Sequence, residues 1–228
     1  MISRTFQFPG LSFTWFRNET NRILSLSMAF SLLMIAARIV YTGQLLYFFL
    51  VWNLFLAFVP YLLTNWLQNR PWWMMNKFRF ISLFLLWLLF IPNAFYIITD
   101  LFHLGNYYKV PLWFDLALIL SFAWNGLLLG LLSVRQMERN MERHWRAKNE
   151  LYFIYPIMWL NALGVYVGRY MRFNSWDVFT NPFGVVADIA DILMHPIRYH
   201  YAWGMIVCFS VFMTLMYLGI KRISKVIH

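Results

Sequence analysis

The chain is 228 residues long, 61% hydrophobic and only 12% charged, about half the charged share of a soluble domain. Its apolar residues fall in long blocks rather than periodic stripes, which excludes a water-soluble globular fold and points to lipid as the solvent. The net charge of +10 comes without any nucleic-acid recognition pattern, so no nucleic-acid partner is expected, and a single cysteine, Cys208, excludes an intrachain disulfide.

Residues 1–22 read as a basic tail, with Arg4, Arg17, Arg22 and a turn at Pro9-Gly10. No apolar region lies near the start, so the first span is expected to act as an uncleaved anchor. Six apolar blocks follow, at 23–41, 45–66, 80–99, 112–134, 151–167 and 202–220. Each is close to the ~20 residues that cross a hydrocarbon core as a helix. Tyr41, Trp66, Trp113, Tyr152 and Tyr201 lie near block ends, as aromatic belts require. The expected fold is all-α: one polytopic bundle of six transmembrane helices forming a single integral membrane domain over 1–228.

Orientation follows from charge. With the N-terminus inside, the inner segments hold 14 of the 19 basic residues, leaving Arg38, Lys109, Arg169, Arg172 and Arg198 outside. That bias predicts a bacterial cytoplasmic membrane protein with both termini cytoplasmic and with membrane lipid as its constant partner. All four Glu then fall inside, where Arg139/Glu142 and Glu142/Arg146 have the spacing of a solvated extension of span four. All five Asp fall outside, together with His103, His195 and His200.

Span three ends in an unusual stretch, F-I-P-N-A-F-Y-I-I-T-D-L-F-H-L over 90–104. Pro92 removes a backbone donor and should orphan the carbonyl of Leu88. Asn93 either relieves that kink or faces a cavity. Asp100 and His103 share a helical face at i, i+3, a spacing that suits a general base, a metal or a helix end. Asp115 opens span four, where it either binds a ligand or stabilises a helix N-terminus. Asn125 and Asn161 lie deep in spans four and five, and such residues ordinarily bond across helices.

Span five leaves through G-R-Y-M-R-F-N-S-W-D, 168–177. Arg169 and Arg172, at i, i+3, could present paired guanidinium groups to a phosphate or carboxylate, or simply pair with Asp residues. Asn174 and Asp177 also resemble an N-cap and its N3 partner. Beyond them, Asn181-Pro182 predicts a helix start and Pro196 its end. That short helix should lie on or re-enter the outer leaflet. One of its faces carries Phe183, Val186, Ala190 and Leu193, and another carries Asp188, Asp191 and His195. The second face could supply oxygen and nitrogen ligands to a divalent metal, or be a wet face balanced by Arg198. Gly126/Gly130 and Gly164/Gly168 are small-xxx-small pairs that should serve different helix crossings.

The 90–104 stretch, the W-F-D-L opening of span four and G-R-Y-M-R-F-N-S-W-D together resemble a bacterial membrane-protein family catalogued as domain of unknown function 1361. The resemblance runs from about Phe80 to the end of the chain. It implies that Pro92, Asn93, Asp100, His103, Asp115, Arg169, Arg172, Asn174, Ser175, Trp176 and Asp177 form the site, and it brings no activity with it.

The residues themselves suggest a polar pocket at the outer leaflet acting on a lipid-linked or envelope ligand. Asp100, His103 and Asp177 are its candidate catalytic groups. Asn93, Asp115, Arg169, Arg172, Asn174, Ser175 and Trp176 would bind ligand, and Asp188, Asp191 and His195 would hold any divalent metal. A structural subunit of an envelope complex and a small transporter or flippase are the alternatives.

Overall fold

The structure, a computed structural model, describes residues 18–70, 72–105, 109–145, 150–173 and 177–226. The described residues form an all-α protein with six helices long and apolar enough to cross a membrane. These are α1 (Glu19–Thr42), α2 (Phe49–Gln68), α4 (Lys77–Tyr96) prolonged by a 3-10 segment (Ile97–His103), α5 (Leu112–Trp145), α6 (Glu150–Tyr170) and α9 (His200–Val226). Three short helices join them: α3 (Trp72–Met75), α7 (Asp177–Thr180) and α8 (Pro182–Met194). Most of the predicted basic tail, 1–17, and Arg146 of the predicted Glu142/Arg146 pair lie outside the described residues.

Local chemistry sets the ends. Asn18 and Asn76 cap α1 and α4 by accepting from Thr20 N and from Phe78 N and Arg79 N. Gly43 closes α1 in the left-handed conformation, φ 67°, and returns its N–H to the Ile39 carbonyl. Span two starts at Phe49 rather than at 45, because a turn intervenes in which Tyr47 is also left-handed, φ 67°.

Helix α5 is the hub. Of its most apolar 18-residue window 61% is buried, against 22% to 44% in the other five spans. It packs on α1, α2 and α4, while α4 also packs on α2 and α6, and α6 on α9. The two glycine pairs explain how α4 fits between α5 and α6. A Cβ at Gly126 would lie 2.8 Å from the Ala94 carbonyl oxygen, and one at Gly164 would lie 2.7 Å from Pro92 Cγ. The pairs therefore serve two crossings, as expected, but both crossings are with the same helix. The kinked stretch that begins at Pro92 is clamped from both sides.

Asn125 meets the expectation of a cross-helix bond: its Nδ2 donates to Ser31 Oγ at 2.9 Å and to the Ser27 carbonyl at 3.2 Å. Asn161 does not, since neither its Oδ1 nor its Nδ2 has a hydrogen-bond partner among the described residues. At the end of the bundle where α5 finishes, Tyr61 donates to Asn21 Oδ1 at 2.6 Å and Trp87 to Ser133 Oγ at 2.8 Å. Glu138 departs from the solvated extension read from sequence. It is buried and accepts from Lys221 Nζ at 2.7 Å, from Tyr217 at 2.5 Å and from Arg135. The far end of α9 supplies a cation, Lys221, and a hydroxyl, Tyr217, that the spacing within α5 does not reveal.

Candidate functional site

The opposite end of the bundle gathers the polar residues of the 90–104 stretch. After Tyr96 the helix tightens to 3-10 geometry, in which residues three apart eclipse, so Asp100 and His103 stay on one edge. The helix runs through Pro92 without ending, and Asn93 Nδ2 donates to the Phe90 carbonyl at 2.9 Å. Asn93 also lines a cavity, the second of the two readings of this residue.

Asp100 is buried, and both of its carboxylate oxygens are occupied. Oδ1 accepts from Arg169 Nη2 at 2.6 Å and Oδ2 from Asn53 Nδ2 at 2.8 Å. Arg169 reaches further: its Nε donates to Thr99 Oγ1 at 2.8 Å, and its Nη1 lies 3.1 Å from His103 Nε2. A guanidinium only donates, so in this contact Nε2 is the acceptor. The guanidinium carbon also sits 4.6 Å from the centre of the Tyr96 ring. Tyr47 OH donates to the His103 carbonyl at 3.2 Å, and Phe49 meets the imidazole edge-on. Such a charge pair inside an apolar bundle is stabilised only when its remaining lone pairs and protons are satisfied, and here four segments satisfy them.

Asp115 belongs to a different cluster. It takes a two-pronged contact from Arg38, Nε to Oδ1 at 2.7 Å and Nη2 to Oδ2 at 3.1 Å. Their side chains are 2% and 1% exposed, and the guanidinium stacks on the Tyr47 ring. Asp115 stands in the first turn of α5, as the helix N-terminus reading has it, and there it also forms a buried ion pair with Arg38 of α1, which is a structural cation rather than an outlying interfacial one.

The Arg169/Arg172 pair is also separated. Helix α6 ends at Tyr170, and Arg172 turns the chain in the left-handed region, φ 61°. The two guanidinium groups are therefore not neighbours on one helical face. Asp177 opens α7 and accepts from Thr180 Oγ1 at 3.3 Å. Asn174, Ser175 and Trp176 lie outside the described residues, and with them the predicted cap.

Helix α8 starts and stops as its Asn-Pro and Pro signals require, with Asn181 Oδ1 accepting from Gly184 N at 3.2 Å. It has an apolar side that the sequence pattern did not single out: Val185 and Ile192 are buried, whereas Phe183 and Val186 are exposed. Asp191 receives His195 Nδ1 at 2.8 Å, Tyr199 OH at 2.5 Å and, more distantly, Arg198 at 3.9 Å. Tyr199's hydrogen bond, with His195 and Arg198 beside it, holds the Asp191 carboxyl below its usual range. Asp188 is exposed and acts on this group through its charge on Tyr199, and no cluster of three metal-ligating side chains occurs among the described residues.

A cavity of about 710 Å³ lies between α2, α4, α6 and α8, within the size range of small-molecule sites. Seven of its twenty lining residues are leucine, and Gly164, Val185 and Ile189 are among the others. Trp52 and Leu85, half or more exposed on the lipid-facing surface, form part of the same wall. Asn53 and Tyr96 line the cavity as well, and these are the two residues that also hold Asp100 and Arg169. Sequence reading missed Asn53, Tyr96 and Thr99. Asn53 carried a usable signal, being a lone amide inside an apolar span.

The bundle and its buried ion pairs define a polytopic α-helical membrane protein. The family described as Protein of unknown function (DUF1361) matches residues 52–216, and the chain belongs to that family. No curated protein and no solved structure matches it.

Proposed function

We propose that this protein binds, and acts on, a lipid-linked or envelope amphiphile within the outer leaflet of a bacterial cytoplasmic membrane, with both termini cytoplasmic. The ligand's apolar part occupies the cavity between α2, α4, α6 and α8, and its polar part meets the Asp100–Arg169–His103 cluster. One observation carries the reading: Asn53 and Tyr96 belong at once to the cavity wall and to the ion-pair cluster. A ligand filling the cavity is therefore one side chain away from the Asp100 carboxylate, held by Asn53, and from the Arg169 guanidinium, whose Nη1 lies 3.1 Å from His103 Nε2. His103 is the group to take a proton from a ligand hydroxyl once Arg169 moves off Nε2. Asp100, already carrying two hydrogen bonds, orients Arg169 and the Asn53 amide. The distribution of basic residues supports the orientation.

The reading is tested on protein purified in mild detergent, by native mass spectrometry and analysis of its organic extract. Wild type should carry a stoichiometric amphiphile. Leu163→Trp, which fills the cavity from α6, should lose most of it at equal yield of folded protein, and His103→Gln should retain it. Equal retention in wild type and Leu163→Trp would overturn the proposal.

A further inference from the structure

The cluster around Asp100 leaves the charge of the ligand open, because Arg169 is already matched by a carboxylate at 2.6 Å. Arg38 is likewise matched by Asp115. Arg172 is not. It is exposed and has no carboxylate or hydrogen-bond partner among the described residues. Its left-handed φ of 61° is a conformation that side-chain-bearing residues rarely hold. The outcome of that turn is specific. The chain folds back over the end of α6, so that Phe173 N donates to the Val167 carbonyl at 3.4 Å, and the Phe173 carbonyl lies 3.7 Å from the position of a Gly168 Cβ. Phe173, Val167 and Gly168 all line the cavity. The reversal thus places Arg172, exposed and without a partner among the described residues, next in the chain to Phe173, which lines the cavity.

An unmatched cation one residue from the wall of an apolar cavity suits an anion attached to an apolar chain, and a guanidinium suits phosphate oxygens in particular. We propose that the ligand is a lipid whose head group is a net-negative phosphate, its chain in the cavity and its phosphate on Arg172. This rests on the cavity's being a lipid site and adds the identity of the head group.

The test uses the full chain, delipidated in detergent, with adducts counted by native mass spectrometry. Phosphatidic acid is compared with phosphatidylcholine of the same acyl chains. Wild type should bind phosphatidic acid about tenfold more tightly, the scale of one or two charge-assisted hydrogen bonds. Arg172→Gln should erase that preference and leave phosphatidylcholine binding unchanged. Arg172→Gly, which also removes the left-handed strain, should do the same, and Arg172→Lys should keep part of the preference. Inorganic phosphate added at equal concentration should displace neither lipid. If it displaces phosphatidic acid, the site is one for free phosphate and the proposal fails. Equal binding of the two lipids by wild type also overturns it while leaving the cavity reading intact. Binding of neither lipid, with Leu163→Trp no different from wild type, removes both.

Discussion

Two arginine–aspartate pairs stand at the same end of this bundle, and they do opposite things. Arg38–Asp115 is sealed: both side chains are almost fully buried, the contact is two-pronged, and Tyr47 covers the guanidinium. Arg169–Asp100 is just as short, but its arginine is 14% exposed, and its neighbours Asn53 and Tyr96 face a cavity. Ion pairing alone therefore does not distinguish the two clusters; what borders each pair does. The sealed pair ties helices α1 and α5 across 77 positions of sequence, whereas the open one is joined through Asn53 and Tyr96 to the wall of a cavity.

The largest effect should come from breaking the sealed pair. Arg38→Ala leaves Asp115 charged and buried, a loss of about 3–5 kcal/mol of stability, visible as early thermal unfolding in fluorescence-detected size exclusion. The double variant Arg38→Met/Asp115→Leu should recover most of it, because an apolar pair of similar size needs no compensation there. If Arg38→Ala unfolds no earlier than wild type, the sealed character assigned to this pair is wrong.

Asp100→Asn should cost less, about 1.5–3 kcal/mol, since the amide keeps one acceptor for Arg169 and the arginine is partly solvated. Its larger consequence is functional: the variant should be recovered folded but without conversion of the bound amphiphile. The comparison fails if Asp100→Asn is as destabilising as Arg38→Ala. Gly164→Ala tests the clamp that positions Asp100. With a Cβ placed 2.7 Å from Pro92 Cγ, overpacking should cost about 1–3 kcal/mol. The same methyl at Gly204, which has nothing within 4 Å, should be tolerated in the same thermal assay.

These contrasts also explain what could be read from the chain alone. All six spans were legible, because a lipid solvent demands long apolar runs whatever the tertiary packing. Asp100, His103 and Arg169 stood out for the complementary reason that ionisable residues near a span need partners. The partners themselves were hidden. Arg38 and Asp115 lie 77 positions apart and Glu138 and Lys221 lie 83 apart, and helical periodicity carries no information at that range. Arg172 was misplaced for a local reason: i, i+3 spacing implies a shared face only while the helix lasts, and a left-handed arginine ends it. The inward side of α8 was missed because Val185 and Ile192 look no more apolar than Phe183 and Val186, and only packing tells which side faces the cavity.

Asp191 supplies the third case, a carboxylate with similar partners but open to water. Its partners Tyr199, His195 and Arg198 surround it on the exposed side of α8 and the turn beyond. Their combined effect lowers its proton affinity, with the Tyr199 hydroxyl the leading cause. A depressed carboxylate favours the folded state above the ordinary carboxyl range, and the advantage disappears as pH falls through the depressed value. Tyr199→Phe should therefore move the Asp191 midpoint upward, toward that of an ordinary carboxyl. Carboxyl-carbon NMR of aspartate-labelled protein follows the change, with Asp191→Asn assigning the signal. Thermal stability at neutral pH should barely change, because water replaces the lost hydroxyl at an exposed site, as it cannot at Asp115. A midpoint that stays put in Tyr199→Phe would show that His195 and Arg198 hold the charge by themselves. A stability loss matching that of Arg38→Ala would mean that exposure is not what separates these carboxylates.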